Sequence, residues 1–412
     1  TPRARPQHDA EGEIDTARGQ SEYDGDQQLS RDPDTSLPED ESDSFNATDT
    51  GNAARFARLF MWQARFVLEF GKWLVWNGSR WVADLRRTRV LQLTREVIED
   101  IRNRPRPAGQ ATEGAAGDPD WEQWAARSES CGSRRSMITL AASEPGMTIH
   151  SAELDTHRRL LNVENGTLDL TTGQLQVADP AQFMTKQAPV EFDSVATCPL
   201  FEAFLQRIMD DDTDLIAFLR RVLGYCLTGC TDEQVMFVLH GTGANGKSTL
   251  LNVIAAVLGD YALTCPTGTL VSRGTHQGNA IPNDVARLRD ARFVSAVETG
   301  HDAYLDEPKV KLLTGSDRVA ARFLRQEFFE FVPQFKLFLA CNHMPSIRGS
   351  DHGIWRRIML IPFHVTIPEN QRDRALEKKL LEELPGILNW AVTGCLEWQQ
   401  GGLEPPAVVR DA

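Results

Sequence analysis

Nine residues near the middle of the chain, GTGANGKST at 241–249, restrict its fold more than any other stretch. They satisfy G-x-x-x-x-G-K-[ST], with Gly241, Gly246, Lys247 and Ser248 at the fixed positions. Thr242, Gly243, Ala244, Asn245 and Thr249 complete the loop. Such a loop works only between a buried strand and a helix. Its glycines let successive backbone N–H groups turn inward as an anion nest, and the helix adds the positive end of its dipole. The flanks meet this demand, since an apolar run (235–240) precedes the loop and 247–258 reads as a helix. The expected ligand is ATP with Mg²⁺, Lys247 reaching the β- and γ-phosphates and the Ser248 hydroxyl the metal. A Gly-rich structural turn is the bland alternative.

Beyond the loop, apolar strands are expected at 292–297, 335–340 and 358–362, with helical stretches between them. Strands alternating with helices predict an α/β class and a mostly parallel central sheet covered on both faces. Upstream the pattern is mixed α+β. Helical spacing runs over 51–70, and a hairpin turns at Asn77-Gly78 within 72–83. A helix over 87–101, a loop over 102–118 and a helix over 121–142 follow. Turns at Asn165-Gly166 and Thr172-Gly173 then punctuate short strands between 160 and 177. Helices are expected over 200–209, 214–227 and after Asn370. The implied organisation is a disordered acidic tail (1–45), an α+β domain (46–195), a helical connector or collar (196–230), the loop-bearing core (231–368) and a C-terminal helical segment (369–412) that looks cut.

Net charge argues against a nucleic-acid partner only superficially. Of the total of −14, residues 1–50 hold −10, so the remaining 362 residues carry −4. A mildly acidic body can still focus positive potential in a channel. No run approaches a membrane span, which predicts no membrane partner. The cysteines, Cys131, Cys198, Cys226, Cys230, Cys265, Cys341 and Cys395, lack paired zinc-ligand spacing and read as thiols of a reducing cytosol.

A phosphate loop needs a carboxylate at a neighbouring strand end. RFVSAVE (292–298) ends at Glu298, placed to organise Mg²⁺ or polarise the attacking water, unless it is merely a solvated strand end. KLFLACN (336–342) ends at Asn342, whose amide either reads the γ-phosphate or makes a turn before His343-Met344-Pro345. DHGIWRRIMLIPF (351–363) sets Arg356 and Arg357 directly before a strand. They are either solvated edge charges or groups that reach a neighbouring subunit's phosphates. KLLTGSDRVAARFLRQEFFEF (311–331) interleaves Lys311, Arg318, Arg322 and Arg325 with apolar and aromatic residues. Alternation around Gly315-Ser316-Asp317 predicts a basic hairpin suited to a phosphate backbone, or else a surface hairpin whose charges block strand pairing.

In this order and spacing, the five motifs resemble the superfamily 3 helicases, and within them the phage/plasmid primase–helicase family related to poxvirus-type primase–helicases. GNAARFARLF, WLVWNGSRW and NVENGTLDL–TTG resemble that family's helicase-associated N-terminal region, so the resemblance runs from residue 48 to 412. It implies an AAA+-like P-loop ATPase core preceded by a mixed α+β helicase-associated domain, assembled as a hexameric ring. It implies ATP-driven translocation on single-stranded DNA, 3′ to 5′, and unwinding of forked DNA during phage, prophage or plasmid replication in a bacterial cytoplasm. By position, Lys247 and Ser248 stand at Walker A and Glu298 at Walker B, with Ser248 and Glu298 as metal ligands. Asn342 stands at the sensor position. Arg357, with Arg356 competing, is the trans-acting finger, and Lys311 and its neighbours stand on the DNA hairpin. The family often carries a primase domain upstream and a winged helix downstream, and neither is visible here, although a primase remains an expected partner. Two other readings stay open: a P-loop enzyme that does not unwind, such as a small-molecule kinase, and a DNA-binding or assembly module with an inert motor.

Overall fold

The apolar runs of the second half become strands, and all pair in parallel. In this computed structural model, which describes residues 45–103, 120–272, 283–298, 304–323, 328–347 and 352–411, five strands form the central sheet. Its order is Ile358–Pro362, Met236–His240, Lys336–Cys341, Phe293–Glu298 and Ala262–Thr264. The last of these was not foreseen, because three residues are too short to show a period. Of the sequence expectations, the acidic tail up to residue 44, most of the 102–118 loop and Arg325 lie outside the described residues.

Alternate side chains of each strand enter opposite cores, as burial on both faces requires. Phe237, Phe293 and Phe338 stand on one face, the Phe338 ring 4.8 Å from Phe237 and 4.7 Å from Phe293. Met236, Val238, Val294, Leu337 and Leu339 stand on the other. The helix Lys247–Leu258, both connector helices, Pro199–Ile208 and Thr213–Leu227, and the C-terminal helix Leu384–Gly401 contribute to the aromatic-rich side. Leu161 and Leu168 of the meander Leu160–Val163, Gly166–Asp169 and Gln174–Gln176 join the same core, although the sequence grouped them with the N-terminal region. From Asn46 onward the chain is one compact unit.

The connector and C-terminal helices cross at two glycines. A Cβ on Gly224 would lie 2.0 Å from the Cys395 nitrogen, and one on Gly394 would lie 2.0 Å from the Arg220 carbonyl oxygen. Backbone meets backbone there, so no side chain can yield. Gly224→Ala is expected to lower stability by about 1–3 kcal/mol through overpacking. A thermal midpoint equal to wild type would show that the helices do not meet at these glycines.

Two buried cations anchor the opposite, amino edge of the sheet. Lys336 donates from Nζ to the carbonyls of Thr228, Cys230 and Gln334 and sits 4.7 Å from the Tyr225 ring centroid. Arg292 donates to the carbonyls of Leu227, His157 and Leu160 over the Tyr261 ring. These carbonyls include the end of the Thr213–Leu227 helix, where the macrodipole favours positive charge. Burial pushes the Lys336 ammonium down to about 7.

The N-terminal region packs the helix Asp49–Phe60, capped by Thr48, against the helices Thr88–Arg102, Trp121–Ser128 and Cys131–Ala141 and a four-stranded sheet. Sequence reading fails here at two points. The helix expected over 51–70 stops at Phe60, and Ala64–Val67 is a strand paired antiparallel with Lys72–Trp76. Cross-strand pairing with the Trp73 strand outweighs local helix propensity. The helix expected over 121–142 is two, because the Ser130 hydroxyl accepts from the Ser133 N–H and starts a new one. No helix among the described residues is long and apolar enough to cross a membrane.

Candidate functional site

Parallel strands deliver their carboxyl ends to one edge, and three of the expected site segments, the 241–249 loop, Asn342 and Glu298, stand there. The loop 241–249 leaves the Met236–His240 strand and enters the helix Lys247–Leu258 at Gly246, whose φ is 86°. Glycine is required at that point, since a Cβ would lie 2.7 Å from Ile208 Cγ2. The Pro199–Ile208 connector helix therefore lies directly against the loop. No side chain caps the helix start, which leaves its first N–H groups to the loop's concave side.

Lys247 is buried at the centre of the arrangement. Its Nζ donates to the Gly241 carbonyl at 2.6 Å, to Asn245 Oδ1 at 3.1 Å and to Asn342 Oδ1 at 3.2 Å. All three acceptors are neutral, and burial lowers the ammonium's pKa. A cation held by neutral oxygens at a helix N-terminus is suited to an incoming anion. Asn245 Nδ2 donates to the Phe363 carbonyl at 3.4 Å, and the Ile367 N–H donates to the Ala244 carbonyl at 2.8 Å, so the segment after the edge strand braces the loop. Ser248 is exposed on the first turn and Thr249 half-buried.

Asn342 follows the strand immediately beside the loop strand, and Glu298 ends the strand beyond it, in register with Cys341. Lys247, Ser248, Asn342 and Glu298 thus derive from one sheet edge. Arg356 and Arg357 stand at the other. They precede Ile358, which pairs with Met236 at the start of the loop strand, and the Met236 N–H donates to the Arg357 carbonyl at 2.6 Å. A five-residue strand, roughly 17 Å long, separates them from the 241–249 loop of their own chain. Arg357 Nη1 donates to the Gly353 carbonyl at 3.0 Å and Nη2 to Gln234 Oε1 at 3.4 Å, while its Nε is buried with no hydrogen-bond partner among the described residues. Arg356 is exposed.

The basic segment differs from its expected form. Gly315-Ser316-Asp317 is not a hairpin turn, because Glu307–Thr314 is a helix, started by Pro308 and the Asp306 cap and ended at Gly315. Lys311 therefore lies on that helix, half-buried, and not on a hairpin. The hairpin begins later, with Val319–Ala321 antiparallel to Phe329–Phe331. Arg318 precedes it, 3.9 Å from Glu330. Arg322 stands near its tip, its guanidinium 4.8 Å from the centroid of the exposed Phe328 ring.

One feature lacked any sequence signal. A cavity of about 490 Å³ opens beside Ala244, Gly246 and Thr249. Phe204 and Arg207 of the connector, Ile367, and Arg374 and Leu376 of the C-terminal segment also line it. Arg207 Nη2 donates to Gln371 Oε1 at 2.7 Å across its rim. Three segments far apart in sequence build the cavity, so no single stretch carries its pattern.

Residues 53–210 match the family described as D5 N terminal like. A protein of Acanthamoeba polyphaga mimivirus, provisionally named a helicase, is 32% identical over 265 residues, which are 60% of this chain and 26% of that protein. Another of Invertebrate iridescent virus 6, named in the same way, is 24% identical over 262 residues, 61% of this chain and 27% of its own. A protein of African swine fever virus, provisionally named a primase, is 26% identical over 212 residues, 50% of this chain and 22% of its own. The matched stretch is thus about a quarter of each relative. These sources lend no support to the expected bacterial host. Among solved structures, the apo C-terminal region of NrS-1 matches with a TM-score of 0.49 and 11% identity over 84% of this chain and 70% of its own, a likeness too slight to carry an argument.

Proposed function

We propose, on the premise that this chain belongs to the viral D5-type primase–helicases, that it is the ATP-hydrolysing motor of a DNA helicase acting in viral DNA replication. One observation carries the reading. Asn342, distant in sequence, is brought within 3.2 Å of Lys247 Nζ at the carboxyl edge of a parallel sheet, where the glycine loop meets a helix N-terminus. This is the arrangement an AAA+-like P-loop core needs: an ammonium and backbone N–H groups for the phosphates, and an amide to sense the terminal one.

The donor set fits ATP with Mg²⁺. The phosphates would lie over the loop 241–249, on Lys247 and the amides around it. Ser248 is exposed on the first turn, where it could hold the metal, and Glu298, the last residue of its strand, is the acidic residue that would serve beside it. Among the described residues no cluster of three His, Cys, Asp or Glu offers a metal site of its own, so the nucleotide's oxygens would complete the coordination. When bound, the magnesium neutralises charge that develops on the phosphates. The cavity beside Gly246 is of a size to take the nucleoside. Arg357 would act on a neighbouring subunit's nucleotide, in a hexameric ring.

The hairpin Val319–Phe331 supports a DNA-gripping role, with Arg318 and Arg322 for backbone phosphates and Phe328 for base stacking. A double variant, Arg322→Ala with Phe328→Ala, is expected to weaken single-stranded DNA binding by about tenfold or more, since each stacking contact is worth roughly 1–3 kcal/mol. Its affinity should also depend less steeply on salt. Unchanged affinity and salt slope in a fluorescence-anisotropy titration would remove the hairpin from the interface.

The whole reading is tested by ATP hydrolysis measured with and without single-stranded DNA, beside the assembly state. Hydrolysis stimulated by DNA in an oligomer is expected. Nucleotide turnover indifferent to DNA would point instead to a P-loop enzyme that does not unwind, and failure to retain nucleotide would sink the motor.

A further inference from the structure

We propose that Arg289 is a positioning residue for nucleic acid: it ties the stem of the hairpin Val319–Phe331 to the N-terminal region, so that the grip on single-stranded DNA depends on a joint behind it. The inference rests on the hairpin reading above and adds to it the element that sets the hairpin's attitude.

Arg289 lies in the turn between the helix Asn283–Ala286 and the strand Phe293–Glu298. Its guanidinium carbon is 5.5 Å from the Phe329 ring centroid and 5.9 Å from that of Phe70, both within cation–π range. Nη2 donates to the Ser151 carbonyl, and Nε stands 3.2 Å from the Asp290 carboxylate. Phe329 belongs to the second strand of the hairpin, where it pairs with Ala321. Phe70 follows the strand Ala64–Val67, and Ser151 opens the short helix Ser151–Glu153. One side chain of the core thus touches the hairpin stem and two points of the N-terminal region.

Both sides of this joint are stiff. Glu69 Oε2 accepts from the Ser151 N–H at 2.8 Å, and its Oε1 lies 2.9 Å from His150 Nδ1, which locks the neighbour of Phe70 to Ser151. The Gly71 N–H closes the same turn on the Leu68 carbonyl at 3.2 Å. On the core side, Asp290 adopts a φ of 60°, and Arg292 is held by three backbone carbonyls. Arg289 therefore resists a swing of the hairpin. Within the hairpin the Phe323 ring stacks on Phe329 at 5.5 Å, and both pack against the core that holds Val294 and Leu339. The adjacent Phe328 is 60% exposed. The joint thus holds the stem from its packed side and leaves Arg322 and Phe328 to the ligand. A stem held in one attitude loses less freedom when DNA binds, which strengthens binding without a contact of its own. The Arg289 side chain is itself only 15% exposed, and its Nε and Nη2 are engaged, so it acts through the hairpin.

The test is a fluorescence-anisotropy titration of the purified protein with a single-stranded oligonucleotide, beside its affinity for ATP. Phe70 is 45% exposed, so Phe70→Ala is expected to fold like wild type. It is expected to weaken DNA affinity by about threefold, the order of one cation–π contact, with ATP affinity unchanged. Arg289→Lys keeps a charge beside Asp290 but lacks the flat guanidinium that two rings can flank, and a loss of about three- to tenfold is expected. In an Arg322→Ala, Phe328→Ala background neither change should weaken binding further, because a stem without its gripping residues has nothing to aim. Residues that touched DNA themselves would instead give losses that multiply. Wild-type DNA affinity in Phe70→Ala and Arg289→Lys, or multiplied losses in that background, overturns the proposal while leaving the hairpin reading intact. Should Arg289→Lys not fold, the Phe70→Ala cycle decides alone by the same two outcomes. Unchanged affinity in Arg322→Ala with Phe328→Ala removes the hairpin reading and this inference together.

Discussion

Lys247→Ala is expected to reduce ATP turnover by at least about 10²–10³-fold, the cost of removing one preorganised electrostatic contact from a transition state of this kind. The ammonium is buried and donates to three neutral oxygens, of Gly241, Asn245 and Asn342. Its removal leaves those acceptors without their donor and would leave the proposed phosphates without this cation. The thermal midpoint separates the two consequences, because lost contacts lower it while lost catalysis does not require that it change. A well-folded variant that keeps more than about a tenth of wild-type turnover would contradict the assignment of Lys247 to the phosphates.

Arg357→Ala is expected to lower hydrolysis by about 10³–10⁵-fold while leaving nucleotide affinity nearly unchanged. The reason is positional. Arg357 precedes the same strand whose far end braces the phosphate loop, so it stands at the opposite sheet edge from its own Lys247. Among the described residues its buried Nε has no hydrogen-bond partner, although Gly353 and Gln234 hold the other nitrogens. Mixing Arg357→Ala with Lys247→Ala should then restore measurable activity, because some interfaces combine an intact loop with an intact arginine. No recovery on mixing would refute action between subunits. A larger loss in Arg356→Ala than in Arg357→Ala would move the role to the exposed neighbour.

Much of the fold and the placement of its loop were legible in the sequence because the determining features were local. GTGANGKST announces its own strand and helix, and the runs ending at Glu298, at Asn342 and after Arg357 are apolar enough to read as buried strands. Other features were hidden for identifiable reasons. Ala64–Val67 carries a helical pattern that only its pairing with Lys72–Trp76 overrides. The basic hairpin was misplaced because Lys311, Leu312 and Leu313 alternate poorly and Pro308 starts a helix that ends at Gly315. The three-residue strand Ala262–Thr264 has no period to detect. The cavity beside Gly246 needs three distant segments at once. That Leu384–Gly401 is integral to the core, through glycines at both sides of a crossing, could not be read from either helix alone.

The Ile358–Pro362 strand acts as a stiff strut between two ends with different duties. One end carries the arginine, and the other, through the Phe363 carbonyl and Ile367, touches Asn245 and Ala244 of the chain's own loop. In an assembly where the arginine engages the next nucleotide, any shift of the loop on phosphate release would be passed along that strut without a hinge. Firing order around such a ring would then be written into the rigidity of a single five-residue segment.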